Sequence, residues 1–432
     1  MNHTPAPSSL PGPDDIVRRV LPNGVTVLVR ENHASPAVVM NVLLPAGAVF
    51  ETRETAGLAA FTASALMRGT QRRDFQTLYE EIESIGASLG ISGGMHSTRA
   101  YGKSLAEDLP TLLDVLADAL RAPTFPPEQV ERLRGEIVTG LRYREQDTRH
   151  RAALAFRALA YPEAHPYSRS VSGYLDTVPA LSREALVDFH RRYYGPKGMI
   201  VVIVGATPAA QAIDQVAQAL GDWANPDQPP APDLPPLPPA EEVRRADVTV
   251  PDKTQSDIVL GVPGPARTAP DWLAAVLANN ILGMFGLMGR LGDIVRDQLG
   301  LAYYAYSQLE GGMGPGAWQA SAGVNPDNVQ LAIDSIAGEI ARIASEPVTE
   351  EELAENKSSL TGGLPLQLET NEGVASVLMR MERYQLGLDY LQRYGALVNA
   401  ISREDVLATA QRYLGQQYAV AVAGPSRNSG AP

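Results

Sequence analysis

The 432-residue sequence has no cysteine, which excludes disulfide bonds and thiolate metal sites and leaves the redox compartment open. Positive charge is scarce, because 36 lysines and arginines stand against 49 acidic residues, for a formal net charge of −13. That balance argues against nucleic acid and anionic membrane surfaces as partners. No apolar run is long enough to span a bilayer, so no membrane segment is expected. The hydrophobic content of 44% is that of an ordinary globular chain, long enough for two or three domains.

Histidine is sparse as well, and no two of its residues form a ligand pair at helical spacing. The six are His3, His33, His96, His150, His165 and His190. We expect each to be a surface or core residue rather than a metal ligand. Residues 1–15, rich in Pro and Ser, are predicted to form a disordered arm, and residues 425–432 a tail. The arm has no basic start followed by an apolar core, so no secretory signal is expected. The default prediction is a cytoplasmic protein, with a periplasmic or processed form left open.

The most distinctive stretch is 293–307, where a helical pattern gives way to a strand rich in Tyr. Hydrophobic residues before it recur at helical spacing, and Gly300 is a natural helix stop. Arg296 lies in the last predicted turns and Tyr303 near the start of the strand. Two hydrogen-bond donors without a base or metal ligand can form an oxyanion or carbonyl clamp, but not a complete catalytic site. The alternative is structural, with Arg296 capping helix carbonyls and Tyr303 filling a sheet face.

Strand and helix patterns alternate along the chain, which predicts an α+β fold. Val/Leu-rich segments such as 37–50 and 199–204 are predicted strands, and 89–105 is read as one further strand. Amphipathic segments such as 108–122 are predicted helices, and the hydrophobic spacing before Gly300 extends one of them back to Leu287. Near the middle, residues 225–240 contain eight prolines and are typical of a semi-rigid linker.

The two halves of the chain match each other. Tyr174 and Ser182-Arg-Glu184 recur 220 residues later as Tyr394 and Ser402-Arg-Glu404. This repeat predicts a duplicated unit of about 200 residues, an α/β sandwich with a mixed, mainly antiparallel sheet and packed helices. The predicted domains are 16–222 and 243–424, joined by a Pro-rich linker at 223–242.

Several short motifs together carry a resemblance to a known family. They are Asn23-Gly-Val-Thr-Val-Leu-Val29, Gly57-Leu-Ala59 with Gly69-Thr70, the Pro-Pro-Glu helix start at 126–128, and Arg191-Arg-Tyr-Tyr194. With them the chain resembles the insulinase/pitrilysin zinc peptidases, and more narrowly their mitochondrial-processing-peptidase-like branch, from about residue 18 to residue 424. The resemblance implies that active members carry an inverted zinc motif, His-x-x-Glu-His, on the first helix and a further Glu ligand on a later one.

The chain departs from that motif at each position. Ala60 and Ser64 stand where the resemblance implies the two His ligands. Ala63 stands where it implies the Glu base, and Gly140 where it implies the third ligand. Alanine and glycine have no side chain that binds zinc, so we expect no metal and no other cofactor in this chain.

The C-terminal half keeps the other part of the family's site. The resemblance implies an Arg and, seven residues later, a Tyr that face the zinc and the scissile peptide, and Arg296 and Tyr303 fit that spacing. The first hypothesis is therefore the zinc-free subunit of a heterodimeric metallopeptidase, inactive alone, whose homologous partner holds the zinc. Arg296 and Tyr303 would act in trans on an unfolded peptide held in a shared chamber, as an added strand on a sheet edge.

The rival hypothesis is a non-catalytic structural or assembly subunit, like the respiratory-complex core proteins that share the fold. A self-sufficient zinc enzyme is excluded by Ala60, Ala63 and Ser64. The glycine-rich segment Gly311–Gly316 lacks the Lys-Ser/Thr of a phosphate loop and is predicted to be a hairpin turn, with substrate contact as the alternative. Tyr304 and Tyr306 are predicted to pack on the sheet face opposite Tyr303.

Overall fold

The structure is a computed structural model that describes residues 10–426. His3 with the rest of residues 1–9 of the predicted arm, and residues 427–432 of the predicted tail, lie outside the described residues. The strands are β1 (Ile16–Val20), β2 (Thr26–Glu31), β3 (Ala37–Leu44), β4 (Ser88–Gly93), β5 (Thr98–Leu105), β6 (Ile200–Gly205), β7 (Arg244–Thr249), β8 (Ser256–Pro263), β9 (Ala302–Leu309), β10 (Ala317–Val324) and β11 (Ala419–Gly424).

The helices lie between these strands, mostly in pairs or longer runs. They are α1 (Leu58–Ala65), α2 (Phe75–Ser84), α3 (Leu109–Arg121), α4 (Pro127–Glu145), α5 (Thr148–Ala160), α6 (Arg183–Tyr193), α7 (Ala209–Leu220), α8 (Trp272–Gly283), α9 (Gly289–Leu291), α10 (Val329–Ser345), α11 (Glu350–Gln367), α12 (Asn371–Arg383), α13 (Tyr390–Asn399) and α14 (Arg403–Leu414). Helix α9 continues directly into a π-helix at Gly292–Gln298. Short 3-10 turns lie at Ala48–Phe50, Leu66–Arg68, Ala106–Asp108, Pro166–Ser168, Val178–Ala180 and Pro326–Asn328.

The strands form two sheets with the same topology. The first has the order β1-β2-β6-β3-β5-β4 and the second the order β7-β11-β8-β10-β9. Each contains one parallel pair, β2 with β6 and β7 with β11, and its other neighbours are antiparallel. Without β1, the two orders correspond strand for strand, as a duplicated unit requires. The predicted α+β fold with two similar, mainly antiparallel sheets is therefore confirmed.

Two compact units are each assembled from three stretches of chain. The first unit contains the described chain up to Gly135, Thr177–Pro232 and Leu364–Ala396. The second contains Glu136–Asp176, Asp233–Gly363 and the described chain from Leu397. Each half of the sequence thus contributes helices to the unit built around the other half's sheet. The ranges 16–222 and 243–424 describe the sequence repeat and stay a prediction of domain boundaries.

In the first unit, the helical segment from the second half of the sequence covers the sheet. Helix α12 packs against β3 and β6, and β6 is buried throughout. The shared core joins apolar residues of the helix to apolar residues of the strands: Val374, Val377, Leu378 and Met381 with Leu28, Val39 and Val202. Burial of such side chains stabilises the unit by roughly 1.5–3 kcal/mol for each large one.

In the second unit, the sheet is covered on both faces. On one face α8, α10 and α14 share a core with Ile258, Leu260 and Val262 of β8. Helix α5 packs against β8 and β11 and lies on the other face, where the alternate residues of β8 point. It begins at Thr148 because the carboxylate of Asp147 accepts hydrogen bonds from the first free amides of the helix, at 2.9 and 3.2 Å.

The Pro-rich segment is anchored at its start. The Asn225 side-chain amide donates to the carbonyls of Arg191 at 3.1 Å and Tyr194 at 2.8 Å. Gln228 is 5% exposed and exchanges two hydrogen bonds with the backbone of Lys197, each 3.0 Å long. Residues 225–228 are therefore held against the first unit and are not part of a free spacer.

Three segments differ from the sequence prediction. The strand predicted at 37–50 ends at Leu44, and Ala48–Phe50 form a 3-10 turn. Residues 89–105 form two strands rather than one, because a turn closed by the Gly94 N–H and the Ser97 carbonyl, at 2.9 Å, separates β4 from β5. Leu287 is not helical and is 68% exposed, because Gly286 and Met288 have φ angles of 57° and 82° that interrupt the chain before α9. Between residues 10 and 426, no helix has both the length and the apolar character needed to cross a bilayer.

Candidate functional site

The predicted helix-to-strand corner is present, and a glycine forms its turn. Arg296 lies in the π-helix and Tyr303 in β9. Gly300 has a left-handed backbone (φ 61°) and donates its N–H to the Arg296 carbonyl at 3.1 Å, which ends the helix. The next amide, that of Leu301, donates to the carbonyl of Val295 at 2.9 Å. Arg296 and Tyr303 therefore flank one closed corner, and π-helical turns are frequent at functional sites.

Tyr303 is the extra residue of a β-bulge. On β10, Gly323 pairs with Tyr304 and Val324 pairs with Ala302, which leaves Tyr303 without a partner on β10. Bulges re-aim a side chain and are frequent beside active sites. Tyr303 is 86% exposed. The structural alternative, in which this tyrosine fills a sheet face, is therefore wrong.

Arg296 keeps its guanidinium available. Its side chain is 34% exposed, and its ion-pair contact within residues 10–426 is a long one, 3.8 Å from Nε to the carboxylate of Asp297. The described residues show no hydrogen bond from this guanidinium to a helix carbonyl, so the capping role does not apply. A planar fork of N–H donors and a phenol at one corner can stabilise a carbonyl oxygen or a developing oxyanion.

The open edge of β9 is partly covered. The Ala305 N–H, which faces away from β10, donates to the Met288 sulfur at 3.4 Å, and a thioether is a weak acceptor. Two residues farther on, Gly283 at the end of α8 approaches so closely that a Cβ there would overlap the backbone nitrogen of Ser307. This edge therefore leaves little room for an added peptide strand.

Tyr304 lies in a buried hydrogen-bonded cluster that the sequence prediction missed. Its hydroxyl donates to the carboxylate of Asp257 on β8 and accepts from Nε of Arg149 at 3.2 Å. Burial, followed by the hydrogen bond and charge of Asp257, raises the pKa of Tyr304. The signal in the sequence is a single carboxylate, Asp257, directly before the apolar residues of β8. The sequence predicts packing alone for Tyr304, because a propensity pattern does not reveal partners two strands away.

Helix α1 carries the three positions at which the resemblance predicts the zinc ligands and the catalytic base. Ala63 is fully buried and Ala60 and Ser64 are half-buried on it. Its N-terminus is held by the buried carboxylate of Glu51, which accepts hydrogen bonds from two amides of the first turn at 3.1 and 2.6 Å. The helix is therefore well formed, and what it lacks is side chains that bind a metal.

The resemblance predicts the third ligand at Gly140, where again no side chain could bind a metal. Gly140 lies in α4, and Nε of Arg144 donates to its carbonyl at 3.4 Å. Another nitrogen of the same guanidinium donates to the Ser172 hydroxyl at 3.0 Å. Among the residues that the structure describes, no group of three or more His, Asp or Glu side chains could hold a metal ion.

The glycine-rich segment forms the turn between β9 and β10, as predicted. The Gly314 N–H donates to the Tyr167 hydroxyl at 3.0 Å, and the Tyr161 hydroxyl donates to the Pro315 carbonyl at 3.0 Å. The carbonyl of Gly312 accepts a hydrogen bond from the backbone N–H of Arg267 at 3.0 Å. These hydrogen bonds hold the turn in one conformation rather than leaving it as a free loop.

Two family models match this chain and together span both repeats. Residues 26–167 match the family described as Insulinase (Peptidase family M16), and this range contains α1. Residues 180–360 match the domain described as Peptidase M16 inactive domain, and this range contains the corner of Arg296 and Tyr303. The chain belongs to the insulinase family.

The proteins to which this chain is similar have different names. An uncharacterized zinc protease of Streptomyces coelicolor is 26% identical over 417 residues, or 95% of this chain and 90% of that protein. A probable mitochondrial-processing peptidase subunit beta of Arabidopsis thaliana is 27% identical over 266 residues, or 61% and 49%. Human cytochrome b-c1 complex subunit 1 is 27% identical over 268 residues, or 62% and 55%. A crystal structure of a peptidase M16 inactive domain from Pseudomonas fluorescens shares the fold, with a TM-score of 0.87, 23% identity and coverage of 95% and 98%.

Proposed function

We propose that this chain is the zinc-free subunit of a heterodimeric insulinase-family metallopeptidase and completes its partner's active site in trans. The partner is a homologous chain with the His-x-x-Glu-His motif, and it holds the zinc. One contrast carries the proposal. The ligand positions on α1 are Ala60, Ala63 and Ser64, whereas Tyr303 is bulged out of its strand and 86% exposed. A chain without a catalytic role would have no functional reason to expose a tyrosine in this way.

Arg296 and Tyr303 act as hydrogen-bond donors to the scissile carbonyl. The partner's zinc supplies the Lewis acid that activates water. As the carbonyl carbon becomes tetrahedral, negative charge collects on its oxygen, and donors already aimed at that oxygen stabilise the transition state without reorganising. The phenol donates one hydrogen bond and the guanidinium up to two in a fixed geometry. Neither group takes up the proton of the attacking water. A base on the partner accepts that proton.

The substrate in this proposal is an unfolded peptide bound through its backbone. Strand β4 supports this, because it lies at the end of the first sheet and, among the described strands, pairs with β5 on one side and with none on the other. Its residues alternate between exposed and half-buried, and Gly90 has no atom within 4 Å of the place where a Cβ would stand. An extended peptide can add to such an edge through main-chain hydrogen bonds. The edge of β9, where Met288 covers the amide of Ala305, is less suited to this role.

The test is co-expression with a sister chain that carries the zinc motif, sought first in a neighbouring open reading frame. The purified pair is assayed for peptide cleavage with and without chelator, and Tyr303→Phe is compared with Tyr79→Phe, a matched change at a tyrosine that is 37% exposed on α2. We expect chelator-sensitive cleavage by the pair and none by this chain alone. Tyr303→Phe lowers kcat by about 10²–10³-fold, while Tyr79→Phe leaves it unchanged. Normal assembly with wild-type turnover in Tyr303→Phe would refute the clamp.

A second candidate is an assembly subunit without catalytic duty. The observation that favours it is the 27% identity to human cytochrome b-c1 complex subunit 1 over 62% of this chain. In that case the chain copurifies with a multisubunit complex, and Tyr303→Phe and Arg296→Ala change neither assembly nor any peptidase activity. The exposed bulge at Tyr303 favours the first candidate.

A further inference from the structure

A row of three residues crosses three strands of the second sheet beside Tyr303. Gly323 on β10 is the register partner of both Asp257 on β8 and Tyr304 on β9. Directly paired residues point to the same face of a sheet, and at Gly323 that face is bare. The hydroxyl of Tyr304 crosses it and donates to the Asp257 carboxylate, two strands away. A Cβ on Gly323 would lie 2.6 Å from Cε1 of the tyrosine ring, so the crossing requires glycine.

Residues at the start of helix α5 contact both Asp257 and Tyr304. The Thr148 hydroxyl donates to the second carboxylate oxygen of Asp257. The Arg149 guanidinium lies 4.3 Å from the centre of the Tyr304 ring, and the amide of Gln255 is 3.3 Å from the first carboxylate oxygen. Asp257 is only 3% exposed. A buried carboxylate is tolerated when its oxygens are hydrogen-bonded, so the cluster strongly favours the one arrangement that satisfies both.

The register of β9 changes immediately after this row. Gly323 pairs with Tyr304, Val324 pairs with Ala302, and Tyr303 is left over. A slip of β9 by one residue would move each of its side chains to the opposite face. Tyr304 would then lose Asp257, and Tyr303 would lose its place in the bulge.

We propose that the bridge between Tyr304 and Asp257 is a positioning site that holds β9 in the register that displays Tyr303. The positional role stands on the contacts alone. Its consequence for catalysis rests on the proposed function, in which Tyr303 is a donor to the substrate. Asp257 then acts through Tyr304 and Tyr303 and does not touch the substrate.

The positional role is tested on the isolated chain by fluorine NMR. The tyrosines are labelled with 3-fluorotyrosine, and the signal of Tyr303 is assigned by its loss in Tyr303→Phe. We expect Asp257→Asn to shift, broaden or split that signal. Thr148→Val removes one donor to the carboxylate and is the milder variant if Asp257→Asn fails to fold. Ile336→Val, which trims a buried residue of α10, controls for lost stability and leaves the signal unchanged. An unchanged Tyr303 signal in a folded variant of the bridge overturns the proposal.

The catalytic consequence is tested separately in the assembled pair. Asp257→Asn lowers kcat by about tenfold or more, because a small displacement of a donor is costly, and changes KM little. Added to Tyr303→Phe, it lowers kcat no further, since both changes remove the same donor. Full additivity of the two changes would contradict positioning through Tyr303. If Tyr303→Phe alone retains the wild-type kcat, the proposed function fails, and the NMR result still decides the positional role.

Discussion

The guanidinium of Arg144 lies 3.9 Å from the point that a Cβ on Gly140 would occupy. The resemblance to the insulinase family predicts that this position on the later helix carries the third zinc ligand in active members. Here it has no side chain, and its neighbour is a cation that is tied to the Gly140 carbonyl and the Ser172 hydroxyl. A fixed positive charge repels a metal ion as well as failing to bind it. At this predicted ligand position, the missing side chain and the nearby positive charge therefore both oppose metal binding.

We predict that the purified chain holds no stoichiometric zinc. Ala60, Ala63 and Gly140 offer no donor atom, and a serine hydroxyl at position 64 is a poor ligand for zinc compared with imidazole. After incubation with zinc and gel filtration, elemental analysis is expected to find well below one zinc per chain. A family member with an intact His-x-x-Glu-His motif, carried through the same steps, is the positive control. One tightly held zinc per chain would contradict the reading of α1.

Much of the fold was predictable because its signals are local. The apolar run of β6 and the amphipathic spacing of α3 each follow from a period in the sequence. Gly300 marked the corner correctly, because a left-handed residue is what ends a helix in this way. The repeat of Tyr174 at Tyr394 pointed to two sheets of the same topology.

The features that the sequence did not predict depend on contacts between residues that are far apart in the chain. The bulge at Tyr303 arises from its pairing with β10, where Gly323 meets Tyr304 and the register then slips. The bridge from Tyr304 to Asp257 spans 47 residues and two strands. Likewise, no local pattern indicates that α5 belongs to the unit built around the second sheet rather than to the first unit. Register and helix assignment are decided by tertiary packing, which a periodicity does not encode.

We expect Arg296→Lys and Arg296→Ala to impair the assembled pair to a similar extent. Lysine keeps the charge but loses the planar fork of N–H donors. In the proposed function it is this fork that donates to the scissile carbonyl. Both changes are expected to lower kcat by about tenfold or more while the pair still assembles. Arg191→Ala, at a side chain that is 78% exposed on α6, is the matched control. Full activity in Arg296→Lys would mean that charge alone is enough.

The ion pair between Arg290 and Glu352 is expected to stabilise the segment that leads into the corner. The guanidinium donates to both carboxylate oxygens at 2.7 and 2.9 Å, and the two side chains are 12% and 28% exposed. The hydrogen bond from Arg290 lowers the pKa of Glu352 from 4.5 to about 2. A carboxylate with a lowered folded-state pKa adds stability above pH 4.5, and that stability is lost as the pH falls from 4.5 towards 2.

Glu352→Gln should therefore reduce the free energy of unfolding by about 2 kcal/mol at neutral pH. The difference from the wild-type chain should shrink below pH 4.5 and vanish near pH 2. Denaturant titrations across this range measure it. Glu355→Gln, at an exposed residue of the same helix, is the control and should have little effect. A difference that stays constant with pH would show that the carboxylate's charge is not what stabilises the fold.

Our last prediction concerns His165, a fully buried side chain stacked on Tyr161 with ring centres 5.2 Å apart. Its Nδ1 accepts a hydrogen bond from the backbone N–H of Tyr167 at 3.1 Å, so protonation there would remove the acceptor. Burial, and then the charge of Arg169, lowers the pKa of His165 below its ordinary value of 6.5. The unfolded chain thus takes up the proton first, and stability is complete above pH 6.5 and falls below it.

His165→Gln keeps a hydrogen-bonding side chain but cannot titrate, so it should flatten the loss of stability in the pH window just below 6.5. The free energy of unfolding is measured by denaturant titration at several pH values in that window, beside the exposed-residue control His33→Gln. Burial also lowers the pKa of His150 and His190, so part of the wild-type slope should persist in His165→Gln. The control should keep the whole slope, since it removes an imidazole that is 60% exposed rather than buried. If His165→Gln and the wild-type chain lose stability in parallel, the imidazole at position 165 is not the acid-sensitive group beside the glycine-rich turn.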